Sequence, residues 1–152
     1  MNHKPKILVF STGDATRSQM AEGFLRTLAR DEIEAVSTSV QSSDVSPLAV
    51  EVMNEVGVDI SRQHAEDIVH SLKEHFACVV TVCDASKERF PVWPFTPHIL
   101  NWNLLDPERV TGSPEQQLEA FRQVRDAISH NVQEFVHETL PALHDAARPT
   151  TP

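Results

Sequence analysis

The sequence has no apolar run approaching the roughly 20 residues that a membrane-spanning helix needs, so we expect no membrane segment. It is also poor in basic residues, because 13 Lys and Arg stand against 22 Asp and Glu and leave a formal net charge of −9. That balance argues against broad binding to nucleic acid, which needs a basic surface. The N-terminal MNHKPKILVF lacks the long apolar stretch and the cleavage site of a secretory signal. We therefore expect a cytoplasmic protein.

Neither the cysteines nor the histidines are spaced for a disulfide framework or a metal site. The only cysteines, Cys78 and Cys83, lie five apart in one apolar segment, so they fall on opposite faces of a strand and should not pair. Three histidines recur every seven residues, at His130, His137 and His144. Residues two helical turns apart are separated by roughly 10 Å, too far to share one ion. We interpret them as a solvated polar face and expect no metal ion and no cofactor.

The order of apolar segments predicts an α/β fold. Short apolar or alternating runs predict strands at 6–10, 35–40, 78–84 and 98–102. Helical spacing predicts helices at 19–30, 47–57 and 113–139, with short helical pieces at 64–75. Strand–loop–helix units in succession favour a three-layer sandwich, in which a four-stranded parallel sheet carries helices on both faces.

The same pattern indicates one domain followed by a short tail. We expect residues 1–140 to form the domain and Pro141 to end the last helix, because proline cannot continue the hydrogen-bond ladder. Residues 141–152 then form a polar C-terminal tail.

The segment that indicates chemistry is the loop between the first strand and the first helix, Ser11-Thr12-Gly13-Asp14-Ala15-Thr16-Arg17-Ser18. In open α/β sheets, ligands bind at the carboxyl ends of strands, where loop amides and the helix dipole favour an anion. Arg17 could hold an oxyanion through two parallel hydrogen bonds. The composition fits equally well an ordinary βα turn with a surface arginine and a serine cap. Because the net charge is negative, an anion site here would depend on local geometry.

Further motifs resemble a known family. Ser11, five residues and then Arg17-Ser18 resemble the loop of the low-molecular-weight tyrosine phosphatases, in which the first residue is cysteine. RSQMAEGFLR, PLAVEVMNEVGVDIS, VVTVCD and LNWNLLDPERVTGS are similar to segments of the thioredoxin-coupled arsenate reductases built on that fold. The resemblance covers most of the chain and implies a low-molecular-weight-phosphatase-like sandwich.

The resemblance also implies roles for individual residues. In this family a thiolate attacks the oxyanion, the loop amides and an arginine stabilise the charge, and an Asp-Pro aspartate protonates the leaving oxygen. Arg17, Ser18 and Asp106 match the anion clamp and the acid, and Cys83 matches the second cysteine of the reductases. The implied anion-binding residues are Ser11, Thr12, Gly13, Asp14, Ala15, Thr16, Arg17 and Ser18.

The chain departs from the family pattern at several positions. Ser11 stands at the nucleophile's position and Phe90 at that of the third cysteine, so two steps of the thiol relay are missing. A serine hydroxyl is not ionised near neutral pH, and no histidine lies in the loop to act as its base. Thr16 replaces a further loop cysteine, and Asp14 replaces an asparagine.

A potassium ion lies beside the loop in some of these reductases. The positions that would correspond here are Asp14, Glu22, His64 and Glu66. Histidine is a poor potassium ligand, so we do not expect the ion.

Three functions remain open on the sequence. The first is a redox-inactive family member that keeps the pocket for phosphate, sulfate or arsenate. The second is an active arsenate reductase or phosphatase whose nucleophile was changed to Ser11, and the retained Asp106 favours it. The third is a non-catalytic protein-interaction module on the same scaffold, with a partner that the sequence does not identify. Asp14 and the acidic charge favour this last function.

Overall fold

A computed structural model of the chain describes residues 4–11, 15–39, 43–67, 69, 74–82 and 98–147. Its sheet has the strand order β3-β4-β2-β1-β5-β6. The strands are β1 Lys6–Ser11, β2 Glu34–Ser39, β3 Ser43–Asp44, β4 His64–Asp67, β5 Cys78–Thr81 and β6 Ile99–Asn101. The four predicted strands are β2, β1, β5 and β6, and they pair in parallel with β1 and β5 at the centre. The predicted parallel α/β sheet is confirmed.

The helices form where the apolar spacing indicated them. They are α1 Thr16–Ala29, α2 Pro47–Asn54, α3 Pro114–Glu134, a π-helical turn Phe135–Thr139 and α4 Leu140–Ala147. Short 3-10 turns cover Arg30–Glu32 and Pro107–Arg109. The start of α3 is fixed by a capping box, in which Ser113 and Gln116 each accept the other's backbone N–H. Pro114 follows as the first helical residue, where its missing N–H costs nothing.

The central strand β1 is buried on both sides. Ile7 and Val9 join the large core formed with α1, α2 and α3, and Leu8 and Phe10 pack with Phe76 and other residues on the opposite face. A strand buried on both faces reads as an unbroken apolar run, which is how KILVF appears in the sequence. Burial on both faces fixes the register of β1 and therefore the place where its last residue, Ser11, emerges.

Two details of the sequence-based prediction are wrong. Residues 64–67 form strand β4 and not a helical piece, because they pair in parallel with β2 and antiparallel with β3 at the sheet edge. Local pattern does not carry that information, since edge pairing with two other segments decides the conformation.

Pro141 does not end the helical region, which continues to Ala147 and buries Leu143 in the core. The π-helical turn ends at Thr139, and Pro141 falls in the first turn of the next segment, where a proline is tolerated. The division into a domain and a tail stays an expectation.

Two of the three regularly spaced histidines lie on the exposed face of the C-terminal helical region. His130 is 71% exposed at its side chain and pairs with Glu134, and His137 is exposed too, which confirms the polar-face interpretation for both. The side chain of His144 and the whole of Cys83 lie outside the described residues. Within the described ranges, none of the helices combines the length and apolarity that crossing a bilayer requires.

Candidate functional site

Ser11 lies at the carboxyl end of the central strand, facing the start of α1. Its side chain is buried, and its Oγ donates to Ser18 Oγ at 3.1 Å. Ser18 Oγ in turn donates to the carbonyl oxygen of Ala15 at 3.0 Å. These bonds tie the end of β1 to the first turn of α1 across the base of the loop. Thr12, Gly13 and Asp14, which the sequence also assigns to the anion site, lie outside the described residues.

Arg17 is the charged group at the centre of this site. Its side chain is fully buried in the first turn of α1. Nη1 donates to the carbonyl oxygen of Leu104 at 3.1 Å, and Nη2 lies 3.8 Å from Asp106 Oδ2. The structure therefore brings together Arg17 and Asp106, which are 89 positions apart in the sequence. Their roles as anion clamp and acid stay predictions.

The carboxylate of Asp106 is held on several sides. Its side chain is only 8% exposed, and Oδ1 accepts the backbone N–H of Glu108 at 3.0 Å. Oδ2 faces both Arg17 and Arg109, each at 3.8 Å. Asp106 is thus placed at the Arg17 side of the loop, between two guanidinium groups.

Glu108 is a site neighbour that the sequence reasoning missed. Its Oε1 accepts the hydroxyl proton of Thr16, the first residue of α1, at 3.0 Å. The only sequence signal is its place two residues after Asp106 in the Asp-Pro-Glu segment. Nothing local pairs position 16 with position 108, so this contact depends on the three-dimensional fold.

The first turn of α1 presents hydrogen-bond donors and one buried cation. No acidic residue occurs there, and the turn consists of Thr16, Arg17 and Ser18. Helix geometry directs the first amide N–H groups out of the N-terminus, and the helix dipole adds partial positive charge. Together with the buried guanidinium of Arg17, this end of α1 can stabilise a small oxyanion by hydrogen bonds and charge.

The one cysteine that the model describes is unsuited to nucleophilic chemistry. Cys78 is buried in β5, and burial raises the pKa of its thiol to about 12. It is therefore a protonated, packed side chain near neutral pH. Cys83, the residue that the family resemblance assigns to the relay, lies outside the described residues.

A polar cleft away from Ser11 and Arg17 is lined in part by Glu22. The cleft measures about 310 Å³ and is lined by residues that include Glu22, Arg26, Asp59 and His64. Buried Glu22 accepts the N–H of Ser37 at 2.9 Å and lies 3.5 Å from the guanidinium of Arg26. Because Arg26 already balances the charge of Glu22 and His64 offers no anionic oxygen, the described donors do not fit a potassium ion. Asp14 and the side chain of Glu66 lie outside the described residues.

Comparison with known proteins gives consistent matches. Residues 6–144 match the family model of low molecular weight phosphotyrosine protein phosphatase. The arsenate reductase of Bacillus subtilis strain 168 is 36% identical over 133 residues, which is 86% of this chain and 94% of that protein. The arsenate reductase of Halalkalibacterium halodurans is 34% identical over 133 residues, 88% of this chain and 96% of that one.

Solved structures agree. An arsenate reductase in the phosphate binding state has a TM-score of 0.74 and 32% identity, and the alignment covers 88% of this chain and 98% of that chain. A tyrosine phosphatase of Erwinia amylovora has a TM-score of 0.67 at 19% identity and so shares the fold. Since the family model spans nearly all of the described residues, the chain belongs to the low molecular weight phosphotyrosine protein phosphatase family, with arsenate reductases among its relatives.

Proposed function

We propose that this chain is a redox-inactive member of its family that binds a small oxyanion, phosphate, sulfate or arsenate, in the loop of residues 11–18. The observation that carries the proposal is that a buried cation and a serine without nucleophilic activation occur together where β1 ends and α1 begins. The buried guanidinium of Arg17 lies at the N-terminus of α1, and Ser11, which is joined to Ser18 in the same helical turn, has no thiol.

The electrostatics of Arg17 support oxyanion binding. A guanidinium with no solvent exposure is costly unless negative charge lies close by. The carboxylate of Asp106 lies 3.8 Å from Nη2, so the fold already places an anionic group at this guanidinium. An oxyanion in the loop would accept charge-assisted hydrogen bonds from the same group. A related arsenate reductase is known in a phosphate binding state, and its structure aligns with most of this chain.

The chemistry of Ser11 argues against arsenate reduction. The hydroxyl of Ser11 donates to the hydroxyl of Ser18, and a hydroxyl is too weak a base to accept its proton. Serine also cannot form the disulfide with which a thiol relay ends. Cys78 does not substitute, because its pKa of about 12 keeps it protonated. Phe90 stands where the resemblance implies a third cysteine.

One observation favours a second candidate, an active phosphatase or reductase whose nucleophile was changed to Ser11. Asp106 is held next to Arg17, as a general acid would be, and a protein that only binds anions has no need of an acid. The third candidate, an interaction module, is favoured by Asp14 and by the net charge of −9.

Phosphate titration by calorimetry separates oxyanion binding from a purely scaffolding role. The unaltered chain should bind phosphate at one site, and Arg17→Gln should lose the binding. Arg30→Gln is the matched control, because it removes the same charge from an exposed position. No phosphate binding at millimolar concentration would refute the proposal, as would equal losses in both variants.

A turnover assay tests the enzymatic alternative. The unaltered chain is mixed with arsenate and with either thioredoxin or glutaredoxin and glutathione as reductant. We expect no arsenate reduction above a heat-inactivated control, because neither reductant can supply the missing thiol of the loop. Measurable turnover would establish the second candidate and refute redox inactivity.

A further inference from the structure

We propose that Thr16 and Glu108 are positioning residues that hold Asp106 beside Arg17. The proposal rests on the oxyanion site proposed above and adds a specific device to it. We refer to the hydrogen bond between Thr16 and Glu108 as the latch, and to residues 104–109 as the acid loop.

The acid loop is tied to α1 at two points that flank Asp106. On one side, Arg17 Nη1 donates to the carbonyl oxygen of Leu104 at 3.1 Å. On the other side, the hydroxyl of Thr16 donates to Glu108 Oε1 at 3.0 Å. Asp106 lies two residues from each attachment. A short loop fixed at both ends leaves its central residue little freedom to move.

Inside the acid loop, Glu108 is connected directly to the carboxylate that it would position. The N–H of Glu108 donates to Asp106 Oδ1 at 3.0 Å, and the N–H of Arg109 donates to the carbonyl oxygen of Asp106 at 3.1 Å. Pro107, which is buried, limits the backbone between them. The position of the Glu108 side chain is therefore coupled to that of Asp106 through the turn Pro107–Arg109.

The two attachments differ in strength. Leu104 is 8% exposed and belongs to the core, so its end of the loop is also held by packing. At the other end, Pro107 is buried and the turn Pro107–Arg109 packs against α3, whereas the side chain of Glu108 is exposed and is joined to α1 by the latch. Loss of the latch should thus free the side chain of Glu108 and loosen the backbone around Asp106 while leaving the fold intact.

The device has a consequence for anion binding. The latch keeps the carboxylate of Asp106 near Arg17, where it opposes an incoming anion. If Asp106 moves away, a proton-free anion such as sulfate should bind more tightly. Sulfate is the appropriate probe, because it has no proton to donate to Asp106.

Backbone order tests the latch itself. The amide order parameters of Leu105, Asp106, Glu108 and Arg109, measured by ¹⁵N relaxation, should be typical of rigid backbone, about 0.85, in the unaltered chain. Thr16→Val and Glu108→Ala should lower them toward roughly 0.6. Thr16→Ser and Glu108→Gln keep the donor and the acceptor and should retain the rigid values. Unchanged order in Thr16→Val and Glu108→Ala would overturn the proposal.

A double-mutant cycle tests whether the latch acts through Asp106. Asp106→Asn should tighten sulfate binding roughly three- to tenfold, and Thr16→Val should tighten it by about threefold. Combined with Asp106→Asn, Thr16→Val should have no further effect. An equal effect of Thr16→Val in both backgrounds would show that Thr16 acts on the loop alone and would overturn the positioning role.

The two measurements also separate this proposal from the function on which it rests. If the order parameters respond as expected but no variant binds sulfate or phosphate, the positioning role of the latch is supported and the proposed function is refuted. If phosphate binds but the acid loop stays rigid in both Thr16→Val and Glu108→Ala, the proposed function is supported and the positioning role is refuted.

Discussion

The substitution Ser11→Cys should create an acidic thiol at the end of β1. The position lies next to Ser18 Oγ in the first turn of α1, the turn that also carries the buried Arg17. Cysteines next to helix N-termini and cations have pKa values of about 3.5–7.5, against about 8.5 for a free cysteine. With a pKa of about 6, the thiol would be about 90% ionised near neutral pH, against roughly 3% for a free cysteine.

Burial alone would raise the pKa of the introduced thiol, as it does for Cys78. Burial raises the pKa of Cys78 to about 12, in a strand where the neighbours are apolar. Ser11 is equally buried, so the sign of the shift depends on whether Arg17 and the helix dipole outweigh desolvation. We expect that they do, because the same groups are proposed to stabilise an oxyanion.

The assay is the pH dependence of the ultraviolet absorbance of thiolate. The difference between Ser11→Cys and the unaltered chain isolates the introduced thiol, because Cys78 and Cys83 are common to both. Adding Arg17→Gln should raise the pKa of that thiol by roughly one unit. A thiol that titrates at about 8.5 or above in Ser11→Cys would refute the electrostatic argument. An acidic thiol should also bring hydrolysis of an aryl phosphate that depends on Arg17 and Asp106, and its absence would show that the pocket is not assembled for catalysis.

Three predictions concern the fold that supports the site. Phe121→Ala should cost about 3–5 kcal/mol in chemical denaturation, because Phe121 is 1% exposed in the main core; a loss below about 1 kcal/mol would contradict that packing. Gly23→Ala should destabilise by up to about 2 kcal/mol, because its methyl group would lie 2.5 Å from Ile60 Cγ2 and overpacking exceeds the gain in helix propensity; a more stable variant would contradict the close approach of α1. Glu55 has a pKa lowered to about 2, chiefly by its hydrogen bond from Arg122, so its stabilisation is present above pH 4.5 and lost as the pH falls toward 2. Glu55→Gln should therefore flatten the loss of stability between those pH values, and an unchanged pH dependence would count against the ion pair.

The main elements of the fold could be predicted because their patterns are local. KILVF lies in β1 and CVVT forms β5, the two central strands, and α3 buries Phe121, Val124, Ile128 and Val132 at helical spacing. The strand at 64–67 could not be predicted, since its conformation depends on pairing with β2 and β3. The predicted helix end at Pro141 is wrong because a π-helical turn ends at Thr139 and a new helix begins at Leu140, which leaves Pro141 in a first turn.

The sequence indicates the residues of the candidate site better than it indicates their hydrogen-bond partners. Strand, loop and helix order placed Ser11 and Arg17 at one sheet edge, and the family resemblance supplied Asp106. The partners of these residues were not predictable, because Leu104 contributes only a backbone oxygen and Glu108 reaches Thr16 across 92 positions. Neither type of contact leaves a local sequence pattern.

The most direct test of the central claim is a phosphate titration of the unaltered, ¹⁵N-labelled chain, followed by the amide chemical shifts. Oxyanion binding in the loop should produce saturable shifts of the amides of Ala15, Thr16, Arg17 and Ser18, and Arg17→Gln should abolish them. Shifts confined to the cleft around Glu22 and His64, or the absence of any saturable shift, would contradict it.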